Sequence, residues 1–73
     1  LSFELSYPSL YNQSVMKLLT IYQCIIADIW YDKQRTIVIG SVSAENEREI
    51  TKKLVTVTEG YGNWLSEYSH YDI

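Results

Sequence analysis

The chain has 73 residues and a formal net charge of −3, with 47% hydrophobic and 21% charged residues. A chain this short forms one domain, since it buries only about 60% of its unfolded surface and cannot support two cores. The composition is that of a globular domain and excludes a disordered segment. The acidic balance and the scattered Lys and Arg residues predict no nucleic-acid partner.

The cysteine content and the length of the apolar runs indicate the cellular compartment of the protein. A lone cysteine, Cys24, excludes an internal disulfide and a cysteine-built zinc site, so we expect a reducing compartment, the cytoplasm. The longest apolar run, LLTIYQCIIADIW, is interrupted by Gln23 and Asp28 and is shorter than the roughly 20 residues that span a bilayer, which predicts no membrane insertion. Because the chain starts at Leu1 and its single methionine is Met16, we expect it to be part of a longer protein.

The first third of the chain predicts a strand followed by a helix. Apolar and polar residues alternate strictly in the opening LSFELSY, which is the period of a half-buried strand. Pro8 and Ser9 then predict a turn. From Tyr11 onward the apolar spacing becomes that of an amphipathic helix, which we expect over residues 11–23.

The next segments predict a hairpin and a second helix. CIIADIWYD and TIVIGSV are β-branched and aromatic, and the polar turn DKQR joins them. Ser43 is suited to cap a helix from Ala44, since acidic residues fill its first turn and basic residues follow. The segment LVTVTEG fits either the end of this helix or a short strand, and we favour helix to about residue 58. The tail NWLSEYSHYDI is expected to form a fourth strand, although its aromatic residues also recur at helical spacing.

This order of elements predicts the fold class. It is that of an α+β, ferredoxin-like βαββαβ sandwich, with an antiparallel sheet and two helices on one face. The other face of the sheet is then open. Both hairpin strands carry apolar residues on both sides, so either a second copy or the parent chain covers part of the open face, or these residues are scattered on the surface. We expect Trp30 and Val38 at such a partner face.

Three segments resemble the ACT-type regulatory domains of amino-acid metabolism. Tyr7–Leu10 (YPSL) is similar to their proline-containing loop between the first strand and helix, Ile25–Ile29 (IIADI) to the entry of the second strand, and RTIVIGSVSA to the third. The resemblance covers roughly residues 1–58. NIL domains of methionine-importer ATPases and C-terminal domains of the MgtC type look similar in architecture.

The resemblance implies a non-catalytic regulatory or sensor domain that forms a homodimer. It also implies a small ligand, such as an amino acid, bound near the loop after the first strand. The ligand-binding residues would be Tyr7, Pro8, Ser9, Leu10, Tyr11 and Asn12.

The tail supports an alternative function. Its aromatic residues, Tyr61, Trp64, Tyr68 and Tyr71, either cap a small core or form an interface, since aromatic side chains are enriched in both places. The alternative is a protein–protein interaction module of a larger protein that uses the open sheet face and the tail, with Trp64 and Tyr68 at the interface.

The sequence contains no set of residues typical of catalysis. His70 and Cys24 are each the single residue of their kind, and no nucleotide-binding glycine motif is present. We therefore expect no enzymatic activity, no catalytic residues, no metal and no cofactor.

Overall fold

The secondary structure follows the predicted order, with one strand added near the end. A computed structural model describes residues 1–67 and 70–73, without the side chain of Tyr71. In chain order, the elements are β1 (Ser2–Pro8), a short 3-10 turn (Ser9–Tyr11), α1 (Asn12–Ile21), β2 (Ile25–Tyr31), β3 (Arg35–Ser41), α2 (Ala44–Val57), β4 (Asn63–Ser66) and β5 (His70–Asp72).

The strands form one antiparallel sheet in the order β2-β3-β1-β4-β5. The buried residues of α1 and α2 join those of β1, β3 and β4 in a single core, so both helices cover the same face. The predicted ferredoxin-like βαββαβ class is thus confirmed. The prediction of a single strand over residues 63–73 was wrong, because β4 already reaches the beginning of β1 at the pair Phe3 and Ser66. A longer strand would have no partner there, and β5 instead pairs back along β4.

The first strand has the predicted alternation. Phe3, Leu5 and Tyr7 are buried beneath the helices, and the residues between them face outward. The strand runs one residue further than expected, to Pro8, which is paired with Arg35 at the end of the ladder. A proline is tolerated at such a position because few ladder bonds depend on its missing N–H.

The helix α1 is shorter than predicted at both ends. Its expected first residue belongs to the 3-10 turn, and Gln23 ends the helix by adopting a left-handed φ of 57°. The backbone N–H of Cys24 then donates to the Leu19 carbonyl oxygen at 2.9 Å and satisfies a terminal carbonyl. Glycine usually occupies this left-handed position, so its absence hid the end of the helix in the sequence.

The helix α2 confirms the predicted cap and end. The Ser43 side chain accepts from the Asn46 N–H at 3.3 Å, and the helix ends at Val57. The Thr58 hydroxyl donates to the Leu54 carbonyl oxygen at 2.7 Å. Leu54 and Thr58 are both fully buried and lie one turn apart, so contact with the sheet favours helix over strand in this β-branched segment.

The core is built around Trp64 of β4, which is completely buried. Its ring stacks on Phe3 of β1, with ring centroids 4.4 Å apart and an interplanar angle of 13°. Its Nε1 donates to Oε2 of Glu47 on α2 at 3.0 Å. The other buried apolar residues are Leu5, Tyr7, Val15, Leu19, Val38, Val42, Ile50, Leu54 and Ile73. The tail is therefore part of the core and not a detachable appendage.

Trp64→Ala should lower the free energy of unfolding by about 3–5 kcal/mol, because it removes a buried ring and leaves a cavity. A domain of this size has a total of about 4–11 kcal/mol, so the loss is a large fraction of its stability. The matched control is Trp30→Ala, which truncates a side chain that is 71% exposed and should change the free energy by less than about 0.5 kcal/mol. Urea unfolding followed by far-UV circular dichroism measures both, and equal losses would contradict this assignment of the core.

Candidate functional site

The loop predicted to bind a ligand is fastened to the rest of the protein through Ser9. The buried Ser9 hydroxyl donates to the backbone oxygen of Asp32 at 2.6 Å and lies 2.8 Å from the hydroxyl of Thr36. Its backbone N–H donates to the Gln34 carbonyl oxygen at 3.1 Å. Ser9 thus ties the segment after Pro8 to the β2–β3 hairpin, and its polar atoms are already in use.

Other polar side chains of this loop are also bonded within the domain. The Tyr7 hydroxyl donates to Oδ1 of Asn12 at 2.5 Å, and the Tyr11 hydroxyl donates to Oε2 of Glu59 at 3.1 Å. Leu10 is the one strongly exposed side chain of the six, at 77%. The loop therefore acts as a joint between β1, the helices and the hairpin. Its role in ligand binding stays a prediction.

The residues expected at a partner face lie in different places. Trp30 of β2 is exposed and pairs with Ile37 of β3, on the face away from the helices. Val38 and Trp64 are completely buried, so neither can contact a partner while the core is intact, and their assignment to an interface is corrected. Val38 faces the helices because it follows Ile37, and successive strand residues point to opposite sides. Tyr68 lies outside the described residues.

The surface of the sheet opposite the helices, here called the open face, carries an apolar area. Trp30 pairs with Ile37, and Ile39 lies two residues further along β3, so these three side chains face the same side. Glu4 pairs with both Ile39 and Leu65, so Leu65 faces that side as well. A register shift between Ile26 and Asp28 also brings Ile25, the partner of Ser41, to this side. The apolar members of the open face are Ile25, Trp30, Ile37, Ile39 and Leu65. Simple alternation missed this set, because the irregularity in β2 is visible only once the strands are paired.

Polar side chains occupy the rest of the open face. The Arg35 guanidinium donates from Nε to the Ser6 hydroxyl at 2.7 Å and from Nη2 to the Tyr61 backbone oxygen at 3.2 Å. The Asn63 side-chain amide lies between Asp72 and Arg35. Its nitrogen donates to Asp72 Oδ1 at 2.9 Å, and its oxygen accepts from Arg35 Nη2 at 3.2 Å. Beside this network a cavity of about 320 Å³ is lined by Trp30, Tyr31, Asp32, Arg35 and Ile37.

The described residues offer little for catalysis. Within residues 1–67 and 70–73, no group of three His, Cys, Asp or Glu side chains is placed to hold a metal ion. Burial raises the pKa of the Cys24 thiol, which lowers the fraction of reactive thiolate. In the same part of the chain, no helix has the length and hydropathy to cross a membrane.

The geometry defines a class of protein: a small ferredoxin-like α+β domain whose candidate functional site is an exposed sheet face. The family follows from a comparison with known families. The chain matches the family model "Elongation factor G C-terminus" over residues 1–73, and it belongs to that family. A search of curated proteins finds no match.

This match corrects the resemblance to ACT-type domains, and with it the NIL and MgtC-type look-alikes. The segments that carried the resemblance belong to the strand–helix–hairpin pattern that many ferredoxin-like domains share. Tyr7–Leu10 turns the chain from a strand into a helix, and proline favours such a turn for local steric reasons that do not depend on the family. The pattern therefore predicted the fold correctly and the family wrongly.

Ser9→Ala should lower the free energy of unfolding by about 1–3 kcal/mol, because the Asp32 carbonyl and the Thr36 hydroxyl would lose a buried partner. Ser14→Ala is the control, since Ser14 lies exposed on α1 and its loss should be within about 0.5 kcal/mol. Urea unfolding measures both variants. A Ser9→Ala protein as stable as the control would show that the loop is not a structural joint.

The stability of the protein should fall at alkaline pH through Tyr7. Burial raises the pKa of Tyr7 to about 12, and the neighbouring Thr36 hydroxyl offsets this only in part. The unfolded chain ionises near pH 10, so the stabilisation is fully present below that pH and is lost as the pH rises toward 12. The difference in unfolding free energy between the wild-type protein and Tyr7→Phe should therefore shrink between pH 10 and 12. A constant difference across that range would contradict the raised pKa.

Proposed function

We propose that the chain works as a non-catalytic domain of a translation elongation factor, through contacts with other macromolecules. The observation that carries this proposal is the match to the elongation factor G C-terminus family over residues 1–73. The ferredoxin-like fold agrees with it. Such a role would place the domain in the cytoplasm and within a longer chain.

The described surface supports a role in binding. Most of its exposed large hydrophobic side chains lie on β2 or on the open face, and Trp30 and Ile25 are 71% and 70% exposed. Exposed apolar area concentrated in this way is typical of a contact surface. Of the functions predicted from the sequence, the protein–protein interaction module therefore fits the described surface best.

The homodimer and the amino-acid ligand find less support. The polar side chains Tyr7, Ser9 and Tyr11 of the predicted ligand loop are bonded within the domain. Of the two residues predicted at the partner face, Val38 is buried. Light scattering over a concentration series, with and without free amino acids, tests both hypotheses. A dimer whose dissociation changes when an amino acid is added would support the homodimer and the ligand.

A domain exchange tests the proposed function. Residues 1–73 would replace the corresponding domain of an elongation factor G, and polypeptide synthesis would be measured in a cell-free system depleted of the native factor. We expect the chimera to restore more synthesis than a factor lacking the domain. A chimera carrying Trp64→Ala is the control, because it disrupts the domain without shortening the chain. A folded chimera no more active than the truncated factor would contradict the proposal.

A further inference from the structure

The open face combines exposed apolar area with an excess of negative charge. Its apolar members include Trp30, Leu65 and Ile39, which are 71%, 51% and 40% exposed. Around and between them lie four carboxylates and one guanidinium. These charged residues are Glu4, Asp28, Arg35, Glu67 and Asp72.

The helix layer, by contrast, is electrically balanced. Its acidic residues are Glu45, Glu47, Glu49 and Glu59, and its basic residues are Lys17, Arg48, Lys52 and Lys53. At the tip of the β2–β3 hairpin, Asp32 and Lys33 offset each other. The formal net charge of −3 therefore resides on the open face.

The hydrogen bonds of these charged groups leave the negative charge of the open face largely unneutralised. Arg35 is engaged with neutral partners, the Ser6 hydroxyl, the Tyr61 carbonyl and the Asn63 amide, so it does not neutralise a carboxylate directly. Glu67 accepts from the backbone N–H of Ser2 at 3.1 Å, which fixes its carboxylate at the rim of the sheet. Charges arranged on one surface act together over a Debye length of roughly 8–10 Å.

This charge decides between occupants of the apolar area. Two open faces of the same chain would bring like charges together, which costs several kcal/mol in an interface and disfavours a second copy. A nucleic acid meets the same repulsion from its phosphates. A protein surface on which Lys or Arg side chains lie among apolar ones is complementary in both respects.

We propose that the open face is a docking surface for a separate protein that presents apolar side chains interspersed with basic side chains. Trp30, on the edge strand β2, is the main anchor, because it is the largest exposed apolar side chain on this face and borders the cavity next to Arg35. Glu4 and Glu67 supply attraction and orientation. This inference deepens the proposed function by giving the chemistry of its partner.

The test uses purified components, so its result is separate from that of the domain exchange. The probe is a fluorescently labelled amphipathic helical peptide with a leucine stripe flanked by lysines, titrated with the chain by fluorescence anisotropy. A peptide with the same leucines and glutamates in place of the lysines is the charge control. A single-stranded RNA of similar length tests the alternative class of partner.

Two pairs of matched variants locate the binding surface. E4Q combined with E67Q removes two carboxylates from the open face, and E45Q combined with E49Q removes two from α2, so both change the net charge equally. We expect the first pair to weaken lysine-peptide binding at least tenfold, and the second to weaken it less than threefold. Trp30→Ala should weaken it at least tenfold while the fold stays intact by circular dichroism.

Several results would overturn the proposal. These are equal effects of the two charge pairs, no effect of Trp30→Ala, equal binding of the glutamate peptide, or tighter binding of the RNA. A dimer in light scattering that Trp30→Ala dissociates would assign the face to a second copy instead. Binding of the lysine peptide that falls as salt rises and that follows the open-face variants would support the proposal.

Discussion

The position of Trp64 is the constraint on which the rest of this small structure depends. Its ring lies on Phe3 of β1, and its Nε1 donates to Glu47 of α2, so one side chain joins two strands and a helix. Ser66, two residues further along β4, also donates to Glu47, at 2.5 Å. A 73-residue chain without a disulfide has little other means of fixing β4 to the core, and a large buried aromatic residue with a satisfied polar atom provides it.

A core on one face of the sheet leaves the other face available for function. Both helices and the inward residues of β1, β3 and β4 are engaged in packing, while β2 at the edge is exposed along its whole length. The loop around Ser9 is engaged as well, through its bonds to the hairpin. Packing, apolar exposure and charge therefore all agree with the proposal that this member of the elongation factor G C-terminus family meets a partner through the open face.

The errors of sequence interpretation share a physical origin. Val38 was assigned to the partner face because an apolar residue on a strand gives no sign of which side the helices cover. The ligand role of the loop Tyr7–Asn12 stays a prediction, because polar and aromatic residues near a proline serve equally well in a binding loop and in a structural joint. Trp64 was left undecided between core and interface, since both use aromatic side chains. Each ambiguity depends on contacts between residues far apart in the chain.

Local physics in the sequence determined the strand–helix–strand–strand–helix order, the alternation in β1 and the Ser43 cap, because hydrophobic period and capping chemistry act over a few residues. Only the tertiary structure decided the β4–β5 hairpin, the end of α1 at Gln23, the side that Val38 faces and the location of the net charge on one surface. These features depend on strand pairing and register, which are set by long-range contacts that a pattern of neighbouring residues does not contain.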